Sequence, residues 1–125
     1  MLGDNQAVAT VAVRDLNAAK KFYADVLGLQ QVGAEGQEAA VYKAGAGTLI
    51  VYRSQFAGTN QATSVTWNVG KGIDGLVRDL KARGVSFEHY DMPGMKIEGD
   101  IHEAGGTRAA WFKDPDGNIH GLVNG

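Results

Sequence analysis

Few side chains in this chain are equipped for chemistry, and none of them is cysteine. That excludes disulfides, thiol catalysis and thiolate metal sites. The histidines are His89, His102 and His120. His102 sits in Glu98-Gly99-Asp100-Ile101-His102-Glu103, where an imidazole among carboxylates is suited to proton transfer. His102, Glu103 and Glu98 are therefore the candidate catalytic residues, set against the plainer reading of a solvated polar loop. His89, in Glu88-His89-Tyr90-Asp91, closes a strand whose successive side chains point to opposite faces, so that cluster does not converge by itself. No Ser/His/Asp pattern, nucleophile elbow, Walker loop or dinucleotide fingerprint occurs. Arg53 could pair an anionic group, and Trp111 could stack on a ligand. Met95, beside Met92, offers adaptable apolar contact.

These residues must be positioned by 125 residues, enough for one domain of about 13.2 kDa and too few for two cores of ordinary size. Twelve Lys and Arg against 14 Asp and Glu leave a net charge of −2. No basic field exists to attract nucleic acid or an anionic membrane, so neither is expected as a partner. The apolar runs are far below the roughly 20 residues of a membrane helix, and the first residues carry no export-signal pattern. A cytoplasmic protein is the expectation.

Residues 7–13 are small and β-branched, as a strand requires. Leu16, Ala19, Phe22, Tyr23, Val26 and Leu27 then recur with a helical period, with Asp15 as N-cap and Gly28 as the terminating glycine. Strands near 29–34, 39–43 and 48–52 follow. Polar residues 54–63 connect to a second round: a strand at 64–69, a helix marked by Ile73, Leu76, Val77 and Leu80, then strands at 85–88, 108–113 and 118–123. Val13 to Val69 and Gly28 to Gly84 are both 56 residues apart, whereas Gly47 to Gly117 is 70, so the second half carries 14 extra residues. The Gly-rich, weakly periodic segment 91–106 reads as the loop that holds them, a candidate lid. The fold class is thus α+β: two tandem βαβββ modules, about 1–56 and 62–125, forming a curved, cup-like mixed sheet with helices on its outer face.

Alternation assigns the faces. With Val65, Trp67 and Val69 under the second helix, Ser64, Thr66 and Asn68 face the cup. The 56-residue offset places Val8 and Thr10 with them. The repeat also pairs Val51 with Gly121 on the last strand of each half, with Arg53 at the same parity as Val51. Together with Met95 and Trp111, these are the ligand-binding candidates.

Phe22-Tyr23-Ala24-Asp25-Val26-Leu27-Gly28-Leu29, after a strand ending Val13-Arg14-Asp15-Leu16, and Phe112-Lys113-Asp114-Pro115-Asp116-Gly117-Asn118 near the C-terminus resemble the vicinal oxygen chelate superfamily. That superfamily includes glyoxalase I, bleomycin resistance proteins and extradiol dioxygenases, and the resemblance spans nearly the whole chain. In its enzymes it implies a divalent metal held by His, Gln or Glu, one from each of four strands. The matching positions here are Val8, Ser64, Val51 and Gly121; Val and Gly offer no side-chain donor, and a lone Ser hydroxyl is a poor one. No metal and no cofactor are therefore expected. The resemblance implies a metal-independent small-molecule-binding protein holding an apolar or aromatic ligand in the cup. The alternative is a glyoxalase- or dioxygenase-like lyase or isomerase using loop residues near His102. It also implies a homodimer, since members commonly pair.

Overall fold

Small and β-branched side chains at the start of the chain form β1 (Ala9–Val13), and the Asp15 carboxylate then accepts from the backbone N–H groups of Asn17 and Ala18 to start α1 (Leu16–Lys20). These and the following elements come from a computed structural model that describes residues 1–125. The helix continues through Lys21–Val26 as a π-helical stretch, where the Leu27 N–H reaches the Phe22 carbonyl at 2.9 Å. A regular 3.6-residue helix was the sequence expectation. The apolar spacing fits either winding; within this stretch the adjacent rings of Phe22 and Tyr23 meet edge to face, 5.3 Å apart. Strands β2 (Gln31–Glu35), β3 (Ala39–Ala44) and β4 (Gly47–Arg53) complete a four-stranded mixed sheet in the order β1-β4-β3-β2, with β1 and β4 parallel.

This first sheet belongs to a compact unit comprising Met1–Asn60 and Pro115–Asn118. Its core is made by Val11, Val13, Leu49, Val51, Ala40 and Tyr42 from the sheet and by Leu16, Ala19 and Tyr23 from the helix, all buried. Burying each of the valines and leucines among them stabilises by roughly 1.5–3 kcal/mol, and the alanines contribute less. The rings of Tyr23 and Tyr42 lie 6.1 Å apart within it. Hydrogen bonds tie residues 115–118 on: Asn118 donates to the Ala12 carbonyl at 2.7 Å, and the Arg14 N–H donates to Asp116 at 3.2 Å.

The second unit comprises Gln61–Asp114 and Ile119–Gly125. It repeats the plan with β5 (Thr63–Asn68), α2 (Ile73–Ala82), β6 (Phe87–Glu88), β9 (Thr107–Lys113) and β10 (Ile119–Val123). Ile73, Val77 and Leu80 are buried along one face of α2, as their spacing requires. Segment 91–106 corrects the expectation of a structureless loop. It contains β7 (Lys96–Glu98) and β8 (Ile101–Ala104), a hairpin turned at Gly99-Asp100, and β8 pairs with β9. The extra residues thus widen the sheet, whose order is β5-β10-β9-β8-β7 with β6 also on β9. The physical reason is visible in Lys96-Ile97-Glu98 and Ile101-His102-Glu103, short alternating runs flanking a glycine turn.

Ladder register fixes which side chains share a face, because residues paired across a ladder point the same way. In the first sheet Val51 pairs with Val11 and Arg53 with Val13, so Val51 and Arg53 lie on the helix side. The expectation that they share the opposite face with Thr10 is corrected. The parallel β1–β4 ladder puts Ile50 and Tyr52 beside Thr10 and Ala12 instead.

Candidate functional site

The face of the second sheet turned away from α2 gathers most of the polar and aromatic candidates. Thr66, Gly121 and Trp111 form one continuous rung, since Gly121 pairs with Thr66 on β5 and with Trp111 on β9. Thr66 lies on this face and is exposed, as is Asn68 at the same parity, whereas Ser64, also exposed, falls in the bulge between the Thr63 and Val65 pairings; it is the Thr63 Cγ2 methyl that comes within 3.5 Å of the Cβ position of Gly121. One strand further, His102 pairs with Ala109, which has the parity of Trp111, so the imidazole joins the same face. His102 is buried, against the expectation of a solvated loop residue.

The Trp111 indole lies over Gly121. A Cβ added to Gly121 would sit 3.0 Å from Nε1 and 3.3 Å from Cδ1 of the indole. Glycine is what lets the backbone of β10 approach the ring this closely. The same indole meets His102 edge to face at 4.9 Å and Tyr90 at 5.4 Å. The Tyr90 backbone N–H donates to His102 Nε2 at 2.9 Å. Accepting at Nε2 assigns the imidazole hydrogen to Nδ1. Nδ1 and the Tyr90 hydroxyl are both buried with no hydrogen-bond partner. Such groups cost about 1–3 kcal/mol each until a partner is supplied. Burial, with the nearby Glu88 charge, holds the Tyr90 hydroxyl above its ordinary pKa.

Glu98 and Glu103 do not converge on His102. Alternation along the hairpin turns Glu103 toward Arg108 on the α2 side, while His102 pairs with Ile97 on the other. The three candidates therefore do not meet at one point. Asp100 takes the charged contacts instead: its carboxylate meets Lys81 Nζ at 2.7 Å and His89 Nε2 at 2.8 Å. The hydrogen bonds from Lys81 and then His89 hold the Asp100 carboxyl below the usual carboxylate range. Met95 closes the Met92–Met95 turn and is half-buried.

On the other face of the second sheet, His120 is buried under α2 with Phe112 stacked on it, rings 5.0 Å apart and nearly parallel. Trp67 Nε1 donates to His120 Nδ1 at 3.0 Å. Burial pushes the imidazole down to about 4, against the opposing pull of the Asp114 charge. This is a core histidine with its acceptor atom already used.

In the first unit, Thr10 is exposed and its hydroxyl donates to the Val8 carbonyl at 3.3 Å. Val8 stands just before β1 and is exposed. Arg53 reaches Glu38 from the helix side at 3.3 Å.

The four positions at which the resemblance would place metal ligands can now be judged by their surroundings. Val51 is core, Val8 is apolar, Ser64 has only a hydroxyl, and Gly121 is roofed by the Trp111 indole. No group of three His, Asp or Glu side chains is arranged to hold a metal ion. This donor set does not fit a divalent cation. Sequence reading missed Tyr90 as a partner of His102, and it missed the Lys81–Asp100–His89 chain. The alternating 96–104 pattern was the available indication for both, because a hairpin there carries residues 100 and 102 back against β9.

A strand, a helix and a sheet on which that helix packs, repeated with the same parallel first-to-last strand pairing, define an α+β protein with two mixed sheets. The chain belongs to the Glyoxalase/Bleomycin resistance protein/Dioxygenase superfamily, whose family model matches residues 5–120. Among solved structures, it is similar to an integron cassette protein from the mobile metagenome of the Halifax Harbour sewage outfall, with TM-score 0.70 and 18% identity over 95% of this chain and 97% of that one. Lactoylglutathione lyase from Agrobacterium tumefaciens superposes with TM-score 0.69 and 20% identity, covering 95% of this chain and 92% of the lyase. The fosfomycin resistance protein FosX from Mesorhizobium loti gives TM-score 0.69 and 14% identity, covering 98% and 92%. No curated protein matches. At these identities the likeness is one of fold, and a fold hosts many activities. No helix is long and apolar enough to cross a membrane.

Proposed function

We propose that this chain is a metal-independent small-molecule-binding member of its superfamily. It holds an apolar or aromatic ligand against the second-sheet face that carries Thr66, Asn68, Trp111 and Gly121. The observation that carries this reading is the Trp111 indole over Gly121, which occupies the space a carboxylate side chain at that position would need. Around the indole lie an exposed row of small hydroxyl and amide side chains and two buried, unpartnered polar groups, His102 Nδ1 and Tyr90 Oη. An aromatic surface with a few convergent polar groups is the ordinary composition of a small-molecule site.

The test begins with elemental analysis of protein purified without chelator, run beside thermal-shift titrations with Mg²⁺, Mn²⁺, Fe²⁺, Ni²⁺ and Zn²⁺. A ligand that binds only the folded state must raise the melting temperature by mass action. We expect no stoichiometric metal and no shift with these ions. Indole- and naphthalene-based probes should raise the melting temperature, and Thr66→Trp, which fills the face beside Gly121, should abolish that rise. One tightly held metal per chain would overturn the reading and favour a lyase or isomerase.

We also propose a homodimer. Strands β2 and β7 each end a sheet with one edge unpaired, and unpaired edges favour association. Light scattering at micromolar concentration should return twice the chain mass of 13.2 kDa, and a strictly monomeric mass would refute it.

A further inference from the structure

Strands β1 and β4 run parallel and end together, and each finishes on an arginine: Arg14 directly follows β1, and Arg53 is the last residue of β4. Between them opens a cleft of about 500 Å³, bordered also by Asp15, Asn17, Lys20 and Gln37. A second hollow of about 410 Å³ adjoins it and shares both arginines. The two hollows therefore form one groove with both guanidinium groups on its wall.

The charge in this groove is only partly neutralised. Arg14 Nη1 lies 3.7 Å from Asp116, too far for a hydrogen bond, so its guanidinium donors remain unspent. Arg53 gives Nε and Nη2 to Glu38 at 3.4 and 3.3 Å and keeps Nη1 available. Lys20 makes no ion pair. Asp15, the one carboxylate on the first hollow, is turned to the backbone N–H groups of Asn17 and Ala18. Exposed ion pairs of this kind contribute little, about 0–1 kcal/mol, so an incoming anion displaces little by competing for them. Three cations thus border a polar groove in a chain whose net charge is −2.

We infer that this groove is a binding site for a small, multiply charged oxyanion, a phosphate ester or a polycarboxylate. It lies wholly within the first unit and is independent of the aromatic face proposed above. Guanidinium groups present planar pairs of N–H donors that match the oxygen spacing of phosphate and carboxylate, and two of them at one site favour a dianion over a monoanion. Asn17 and Gln37 supply neutral amide groups for the remaining oxygens.

The test uses the full chain, labelled with ¹⁵N, titrated at constant ionic strength with inorganic phosphate, citrate or chloride. Phosphate or citrate should cause saturable shifts of the Asn17, Gly36 and Gln37 amides, and chloride should not. Preference for phosphate would assign a phosphate ester, and preference for citrate a polycarboxylate. The double variant Arg14→Met/Arg53→Met should weaken binding at least about tenfold. Lys71→Met, in the Gly70–Gly72 turn of the other unit, removes the same kind of charge and should leave binding unchanged. Shifts that do not saturate, that chloride reproduces, or that the double variant retains in full would overturn the assignment. Binding of aromatic probes should persist in the double variant, so failure of one site is separable from failure of the other.

Discussion

Lowering the pH from about 7 to about 4.5 should cost this protein on the order of 2–3 kcal/mol of stability through one residue, His120. Burial pushes its imidazole from 6.5 down to about 4 in the folded chain. The unfolded chain then binds the proton more readily than the folded one throughout that interval. Stability is fully present above about 6.5, falls as the pH drops, and reaches its full loss below about 4. The geometry supplies the cause. Trp67 donates to Nδ1, so a proton arriving there would set two donors against each other, and the stacked Phe112 ring offers no compensating acceptor. The nearby Asp114 charge opposes the shift without reversing it. His120→Gln keeps an acceptor for Trp67 and removes the titration. Urea denaturation midpoints measured across this range should fall steeply for the parent chain and much less for the variant. An equal fall in both would show that His120 is not the group responsible. The depressed Asp74 and Asp100 carboxyls start from 3.8, so their losses lie below this window.

Gly58→Ala should destabilise by about 3 kcal/mol or more, because two costs coincide there. Its φ of +73° is disfavoured for any residue with a side chain, and a Cβ would strike the backbone carbonyl oxygen of Asp116. That carbonyl belongs to residues 115–118, which are pinned to the first unit by Asn118 and by the Arg14 N–H. Gly84→Ala separates the two costs: φ there is +92°, yet nothing lies within 4 Å of the added Cβ. It should lose only about 1 kcal/mol. Chemical denaturation of both variants checks the difference, and equal midpoints would mean that the Asp116 contact carries no weight.

Both results depend on contacts far apart in sequence, and this divides what the residues alone determined from what they left open. Local order determined the elements. The small, β-branched run before Arg14 makes β1, the Asp15 side chain starts the first helix, and Ile73, Val77 and Leu80 bury one face of the second. Each rests on interactions within a few residues, where spacing is sufficient information. Two motifs carried the resemblance to the superfamily, and alternation put Thr66 and Asn68 on one exposed face, while a bulge at Ser64 interrupts the alternation there. The π-helical stretch was not legible, because apolar spacing alone does not fix the winding.

Tertiary structure alone decided which of the candidate side chains lie together. Val51 and Arg53 moved to the helix side because face depends on which strand pairs with which, and a one-residue difference in register reverses every side chain. His102 became a buried partner of Trp111 and Tyr90, rather than a loop acid–base residue, because segment 96–104 folds back as a hairpin against β9. The Trp111 indole over Gly121 and the pairing of Arg14 with Arg53 across one groove join residues 10 and 39 positions apart. The sequence holds each partner, but only strand pairing sets their distance, because closing a loop depends on the whole chain's packing rather than on local preference.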